Sequence, residues 1–273
     1  MNATNRTLYI PLYGKALVSR KGVILKDPKA EEIWAREGFP LHGKPKSKWL
    51  AYFMGMRAAV MDQWLEEQLG ACPPATVLHL GCGLDARCER VGHSAAWYDV
   101  DMPDVISIRR NYYAESANYH MTGADVTDPA WLEDVPRAQN ALVVMEGLSM
   151  YLPLEQLKEL FTALQAHFDR ALIIMDTYTQ FAVRASKHAN PIKAVGAGVI
   201  TGIDDPHTLE QNPGIRVTGQ LSLTPEAKIR ELPGFDAWFF RLMFAGKATD
   251  GIYRLYTFQL ENTAPGNRDG GIA

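Results

Sequence analysis

Gly81 and Gly83 stand two positions apart at the end of an apolar run, Val77 to Leu80, and a carboxylate, Asp101, follows Gly81 by twenty positions at the end of a second run, Ala95 to Asp101. Glycines after a buried strand let a ligand lie against backbone that a Cβ would shield. An acidic residue at the tip of the next strand can take both hydroxyls of a ribose lying over that turn. The pattern points to a nucleoside-bearing cofactor, while a tight strand-to-helix turn without a ligand would use the same glycines. A dinucleotide needs a third glycine so that a helix N-terminus can meet its pyrophosphate; here Leu84, Asp85, Ala86 and Arg87 follow, and Asp85 repels phosphate. S-adenosylmethionine carries no phosphate, and its ammonium group is drawn to a nearby carboxylate. It is the cofactor expected.

From Ala75 the chain alternates in the βα manner of a mostly parallel sheet. Further strands are expected at Tyr119 to Gly123, Ala141 to Glu146 and Ala171 to Asp176, with helices at Pro103 to Ala114 and Leu154 to Phe168. Ligands of open sheets bind beyond the carboxyl ends of the strands, so Gly81, Asp101, Asp125, Glu146 and Asp176 are expected on one rim. The fold class is α/β: a doubly wound, mostly parallel seven-stranded sheet with an antiparallel last strand, N-terminal helices and a lid insertion. Residues 1–70 read as a helical cap, with Thr7 to Ser19 broken or begun at Pro11, a helix opened by Asp27 and Pro28 that turns Ile33 and Trp34 inward, and a long helix from Lys48 to Leu69. Residues 75–176 read as the cofactor-binding core of a single domain spanning 1–273. Residues 177–222 hold Pro191, Gly196, Gly198, Gly202, Pro206, Pro213 and Gly214 and read as a substrate lid with short helices. Residues 223–261 supply a helix from Pro225 to Glu231 and then two strands, Phe235 to Met243 and Ile252 to Leu260, expected to pair with each other. The polar, glycine-rich stretch from Asn262 to Ala273 is expected to fray.

A chain of 273 residues, 47% hydrophobic and with net charge −3, suits one globular domain and no nucleic-acid partner; the Lys44, Lys46 and Lys48 cluster reads as a solvated helix start. No run of apolar residues is long enough for a membrane span, and Cys72, Cys82 and Cys88 form no CxxC pair, which suits reduced thiols in a cytoplasmic protein without a metal site. The oligomeric state is left open.

Together, Leu25 to Ala30, Leu80 to Arg87, Asp99 to Val105, Ala124 to Asp128 and Glu146 to Leu152 resemble the leucine carboxyl methyltransferase family, and within it the bacterial branch similar to polyketide carboxyl O-methyltransferases. Cys82 and Ala86 stand where that family usually has Ala and Thr. The resemblance implies an S-adenosylmethionine-dependent O-methyltransferase. Gly81 and Gly83 would line the methionine end of the cofactor and Asp101 would take the ribose, with Asp99, one pleat deeper, as a structural alternative. Asp125 and Val126 would flank the adenine, and Glu146 would lie near the amino-acid moiety. Arg57 would bind the cofactor carboxylate, for which its planar fork is apt, although a surface arginine of an amphipathic helix fits the same spacing. Tyr151 and Lys15 would stand near the acceptor, Tyr151 fitting a half-buried core position equally. The acceptor implied is a small-molecule carboxylic acid. Already ionised at neutral pH, it asks for positioning and exclusion of water rather than a base, and His79 and His120 read as satisfied strand residues. A hydroxyl O-methyltransferase, a dinucleotide-dependent oxidoreductase and a non-catalytic nucleoside-binding protein are the other readings.

Overall fold

The computed structural model describes residues 8–37, 44–71, 75–92, 95–186 and 200–263. Seven strands form one sheet in the order β3-β2-β1-β4-β5-β7-β6, with β1 at Thr76–Leu80, β2 at Ala96–Asp101, β3 at Tyr119–Gly123, β4 at Asn140–Met145, β5 at Arg170–Tyr178, β6 at Ile215–Leu221 and β7 at Tyr253–Glu261. Strands β1 to β5 run parallel, and β7 lies antiparallel between β5 and β6. The chain builds outward from β1 to β3 on one side and from β4 to β5 on the other, so the order reverses between β1 and β4. A ligand crevice opens at such a reversal.

Register explains why the acidic and glycine positions recur at the strand ends. Leu80 is level with Val100 and Met145, Met145 with Met175, and Asp101 with Gly123. The next residues, Gly81, Glu146 and Asp176, therefore continue a single row with Asp101 and Gly123. Strand β1 is buried along its whole length, as a strand covered on both faces must be.

One face of the sheet carries Val77, Trp97, Leu142 and Ile174 and packs beneath α1 (Tyr9–Arg20), α2 (Pro28–Glu37) and α3 (Lys48–Ala71). The opposite face carries Leu78, Leu80, Val143, Ile173 and Phe258 and packs against α6 (Leu154–His167). Shorter helices complete the layers: α4 (Arg87–Val91), α5 (Pro103–Arg109), α7 (Gln180–Ser186), α8 (Glu226–Ile229), α9 (Gly234–Phe244) and α10 (Lys247–Asp250). Pro11 falls in the first turn of α1, where its missing N–H costs nothing, and so begins rather than breaks the helix. Asp27 caps α2 by accepting from the Ala30 N–H at 2.8 Å, and Ile33 is buried while Trp34 is half-buried.

Three expectations are corrected. Phe235 to Met243 is helix α9, not a strand: Phe235, Trp238, Phe239, Leu242 and Met243 recur at three- and four-residue spacing, a helical period that their strand-favouring side chains obscured. The partner of β7 is instead β6, within the segment read as lid, where Ile215, Val217 and Leu221 supply a half-buried edge strand with an irregularity between Val217 and Gly219. The helix expected to reach Ala114 ends at Arg109. The readings of Thr7, Cys72, Pro191, Gly196, Gly198 and the end of the chain beyond Thr263 lie outside the described residues.

Candidate functional site

The turn after β1 holds Gly81 at φ +68° and Gly83 at φ +53°, left-handed backbone that side chains rarely adopt. A Cβ on Gly81 would meet the Leu148 side chain at 3.1 Å, and one on Gly83 would meet Leu8 at 3.0 Å. Asp101 holds this turn by accepting from the Gly83 N–H at 2.7 Å and from the Met102 N–H at 2.8 Å. Burial pushes the Asp101 carboxyl up, against the pull of those two amides.

Asp99 has different surroundings. Fully buried, it accepts from Trp97 Nε1 at 2.8 Å and Tyr119 Oη at 2.6 Å and is paired with Arg109. Burial would raise its carboxyl, but Arg109 and the hydrogen bonds from His79 and Tyr119 hold it at about 2. Arg109 also donates to the Gly83 and Asp85 carbonyls at 2.9 and 2.8 Å, so the Asp99 group braces the glycine turn from beneath. Arg87 Nη1, which can only donate, lies 3.2 Å from His79 Nε2. His79 therefore carries its proton on Nδ1, which faces Asp99 at 3.2 Å, and both ring nitrogens are engaged.

Beside the turn lies a buried ionic group that sequence spacing did not disclose. Lys15 pairs with Asp85 at 2.8 Å and Glu146 at 3.1 Å. Arg57 pairs with Glu146 and Asp176, both at 2.9 Å, and donates to Tyr253 Oη at 2.7 Å. Arg87 joins Asp62, Asp85 and Glu146, and Arg90 joins Asp27, Asp62 and Asp85. Burial alone would raise the Glu146 carboxyl; Lys15, Arg57 and Arg87 overcome it and hold the carboxyl well below the usual range. Asp85 is lowered in the same way, by Arg90, Lys15 and Arg87. Within this group the cations are Lys15, Arg57, Arg87 and Arg90, and the anions are Asp27, Asp62, Asp85, Glu146 and Asp176. One carboxylate is in excess.

A cavity of about 620 Å³ joins the glycine turn to an apolar chamber. Lys15, Arg57, Gly81, Gly83, Glu146 and Tyr151 all line it. Its aromatic wall includes Tyr253, whose ring lies 4.8 Å from that of Tyr178 and 5.7 Å from that of Phe53. Asp101 stands just behind the lining on the glycine turn. Asp125 is exposed two residues past the row of strand ends, where it accepts from the Thr127 N–H and hydroxyl, and Val126 is buried beside it. Lys15 both lines the cavity and belongs to the ionic group. Tyr253 and Asp176 are the contributors sequence reading missed or left at the margin, because β7 reaches the site only through its pairing with β5, Tyr178 opposite Tyr253.

These features fit S-adenosylmethionine. The glycine turn is packed closely by Leu8 and Leu148, leaves no room for a Cβ there, and presents its backbone to the cavity. Arg57 Nε is buried without a hydrogen-bond partner among the described residues, a spare donor for a carboxylate. The excess anion suits a ligand of net positive charge, which the sulfonium confers. Cys82 and Cys88 are buried free thiols, and among the described residues no helix is long and apolar enough to cross a membrane.

Comparison with known proteins agrees with this geometry. The leucine carboxyl methyltransferase family model matches residues 3–165. The tetracenomycin polyketide synthesis O-methyltransferase TcmP of Streptomyces glaucescens is 33% identical over 242 residues, covering 87% of this chain and 90% of that protein. The S-adenosyl-L-methionine-dependent methyltransferase dpfgK of Gibberella zeae is 29% identical over 241 residues, covering 79% of this chain and 81% of that protein. A crystal structure of a candidate methyltransferase from Thermobifida fusca YX shares the fold, with a TM-score of 0.55 at 13% identity over 91% of this chain and 94% of that one.

Proposed function

This chain belongs to the leucine carboxyl methyltransferase family and is an S-adenosylmethionine-dependent O-methyltransferase, and on that premise we propose that its acceptor is the carboxylate of an apolar small molecule. When bound, the cofactor supplies a methyl group made electrophilic by the sulfonium. The observation that carries the acceptor reading is that no free base faces the chamber among the described residues. His79 has both ring nitrogens engaged, Asp85 and Glu146 are held ionised by cations, and burial pushes the Tyr178 phenol up to about 12. A carboxylate acceptor needs no base, whereas an alcohol must lose a proton.

The residue roles follow the same chemistry. Gly81 and Gly83 offer open backbone to the methionine end, Asp101 accepts from ribose hydroxyls, and Asp125 and Val126 border the adenine. Arg57 takes the cofactor carboxylate with its spare Nε, and Glu146 with Asp85 takes the ammonium. Lys15 keeps those two carboxylates ionised, a role at the cofactor end rather than at the acceptor. Tyr151, whose phenol burial keeps protonated, donates to the acceptor carboxylate and orients it. Leu12 of α1, Phe53 of α3 and Ala182 of α7 all line the chamber, which supports a role for the cap 1–70 and for part of 177–222 in excluding water. The TcmP likeness supports a polyketide-like acid.

The test is the pH dependence of the chemical step with aromatic carboxylic acids as acceptors. The saturated rate should stay flat from about pH 6.5 to 8.5, since neither the acceptor nor a base titrates there. A rate rising about tenfold per pH unit through neutrality would transfer the assignment to a hydroxyl acceptor.

A further inference from the structure

Helix α9 turns Phe235, Trp238, Leu242 and Met243 outward at helical spacing, each between 51% and 68% exposed. Phe181 of α7 and Ile252, just before β7, are also exposed, and with Met243 they line the mouth of the cavity, so the apolar surface runs continuously from α9 to the chamber. At roughly 200 Å² for a fully exposed side chain of this size, the six present about 700 Å² of apolar area. The largest apolar patch of an ordinary monomer covers about 300–600 Å², and one partner of a stable interface gives up about 800 Å². The patch is of interface size.

Charge decides what covers it. The ionisable groups of α9 are Asp236 and Arg241. Asp236 is held by Lys48 at 2.8 Å and Tyr52 Oη at 2.7 Å, and Arg241 by Glu226 at 2.7 Å. The helix thus offers no free cation to an anionic lipid surface or to nucleic acid, the feature by which interfacial helices and nucleic-acid binders attach. It is also held firmly from behind, with the Trp49 ring 4.6 Å from Phe239 and the Tyr52 ring 6.4 Å from Phe240. A rigid, neutral stripe at this spacing is complementary to itself, since two such helices can cross about a twofold axis with each stripe filling the other.

We propose that a second copy of this chain covers α9, and that the partner's α9 stripe closes the mouth of the acceptor chamber along Met243, Phe181 and Ile252. The proposal goes beyond the acceptor assignment and rests on the surface alone, so its test does not depend on finding the acceptor. Sedimentation equilibrium of the full chain from about 1 to 50 µM should give the mass of two chains, with dissociation toward the lower end. Trp238→Glu and Leu242→Glu, neither of which lines the cavity, should each weaken association by about 100-fold or more while circular dichroism and calorimetric binding of S-adenosylmethionine stay as in the wild type. A single-chain mass throughout the range would overturn the proposal. So would a dimer that survives both substitutions, or a wild-type monomer that partitions onto phosphatidylcholine vesicles.

Discussion

Arg57→Met tests the buried ionic group more sharply than any other single change. Arg57 is 4% exposed, and its two terminal nitrogens serve Glu146, Asp176 and Tyr253. Breaking a buried pair by removing one partner costs about 3–5 kcal/mol. The lower end applies here, because Glu146 keeps Lys15 at 3.1 Å and Arg87, so the loss concentrates on Asp176, left with the Gly147 N–H at 2.7 Å and Tyr253 Oη at 2.5 Å. About 3 kcal/mol at neutral pH should lower the melting temperature by roughly 6–10 °C in a domain of this size. Burial already raises the Asp176 carboxyl above 3.8 with Arg57 in place, and the substitution raises it further. A carboxyl raised in the folded state gives a contribution present below its unfolded pKa and lost as pH climbs through the folded one. Relative to the wild type, the loss should therefore grow as pH climbs from the folded pKa of Asp176 with Arg57 present to the higher one without it, at up to about 1.4 kcal/mol per unit, and then level off. Denaturant titrations at pH 5 and 8 read this directly. Adding Asp176→Asn should recover about 2 kcal/mol at pH 8. Equal losses at both pH values, or strict additivity in the double variant, would show that the Arg57–Asp176 pair does not carry the stability argued here.

Asp101 and Asp99 should separate cleanly. Asp101→Asn is expected to weaken S-adenosylmethionine binding by about 1.5–3 kcal/mol in calorimetry with little change in melting, since its carboxyl is half-buried and bonded to backbone amides alone. Asp99→Asn should instead cost the fold about 3 kcal/mol or more by leaving Arg109 uncompensated; a cofactor-specific loss there with unchanged melting would reverse the assignment. Because Asp99 is held at about 2 against 3.8 unfolded, its stabilising contribution is complete above about pH 4 and is lost as pH falls toward 2, a decline that acid titration of the Asp99→Asn variant should lack. Tyr151→Phe should lower kcat roughly 10- to 100-fold with cofactor affinity within about twofold, and a shift in affinity instead would move Tyr151 to the cofactor end.

The strand ends were legible because parallel register is rigid: once five strands lie side by side, residues just past each apolar run fall in one row, so Gly81, Asp101, Glu146 and Asp176 could be placed together from spacing alone. Asp125 fell outside that row because β3 ends two residues earlier, at Gly123. The ionic group was not legible. Its members come from three cap helices, α4 and three different strand ends or turns, and nothing local distinguishes Arg87 or Arg90 from solvated helix residues. The aromatic run in α9 carried two signals at once, strand propensity and helical period, and the period was the correct one. Strand β6 had the alternation of an edge strand, hidden among the prolines and glycines of a segment whose length suggested a loop.

The position of β7 bears on how the chain can be made. Strands β5 and β6 are both synthesised before it, yet neither pairs with the other: β7 threads between them, and among the described residues β6 has no other neighbour in the sheet. Arg57 emerges among the earliest residues but meets Tyr253 only when that last strand enters. A nascent chain halted before residue 253 can therefore pair Arg57 with Glu146 and Asp176 but lacks the Tyr253 phenol, and its β6 is unattached. On the proposed role of Arg57, its surroundings are complete only when β7 has entered the sheet, some 170 residues after the glycine turn was made.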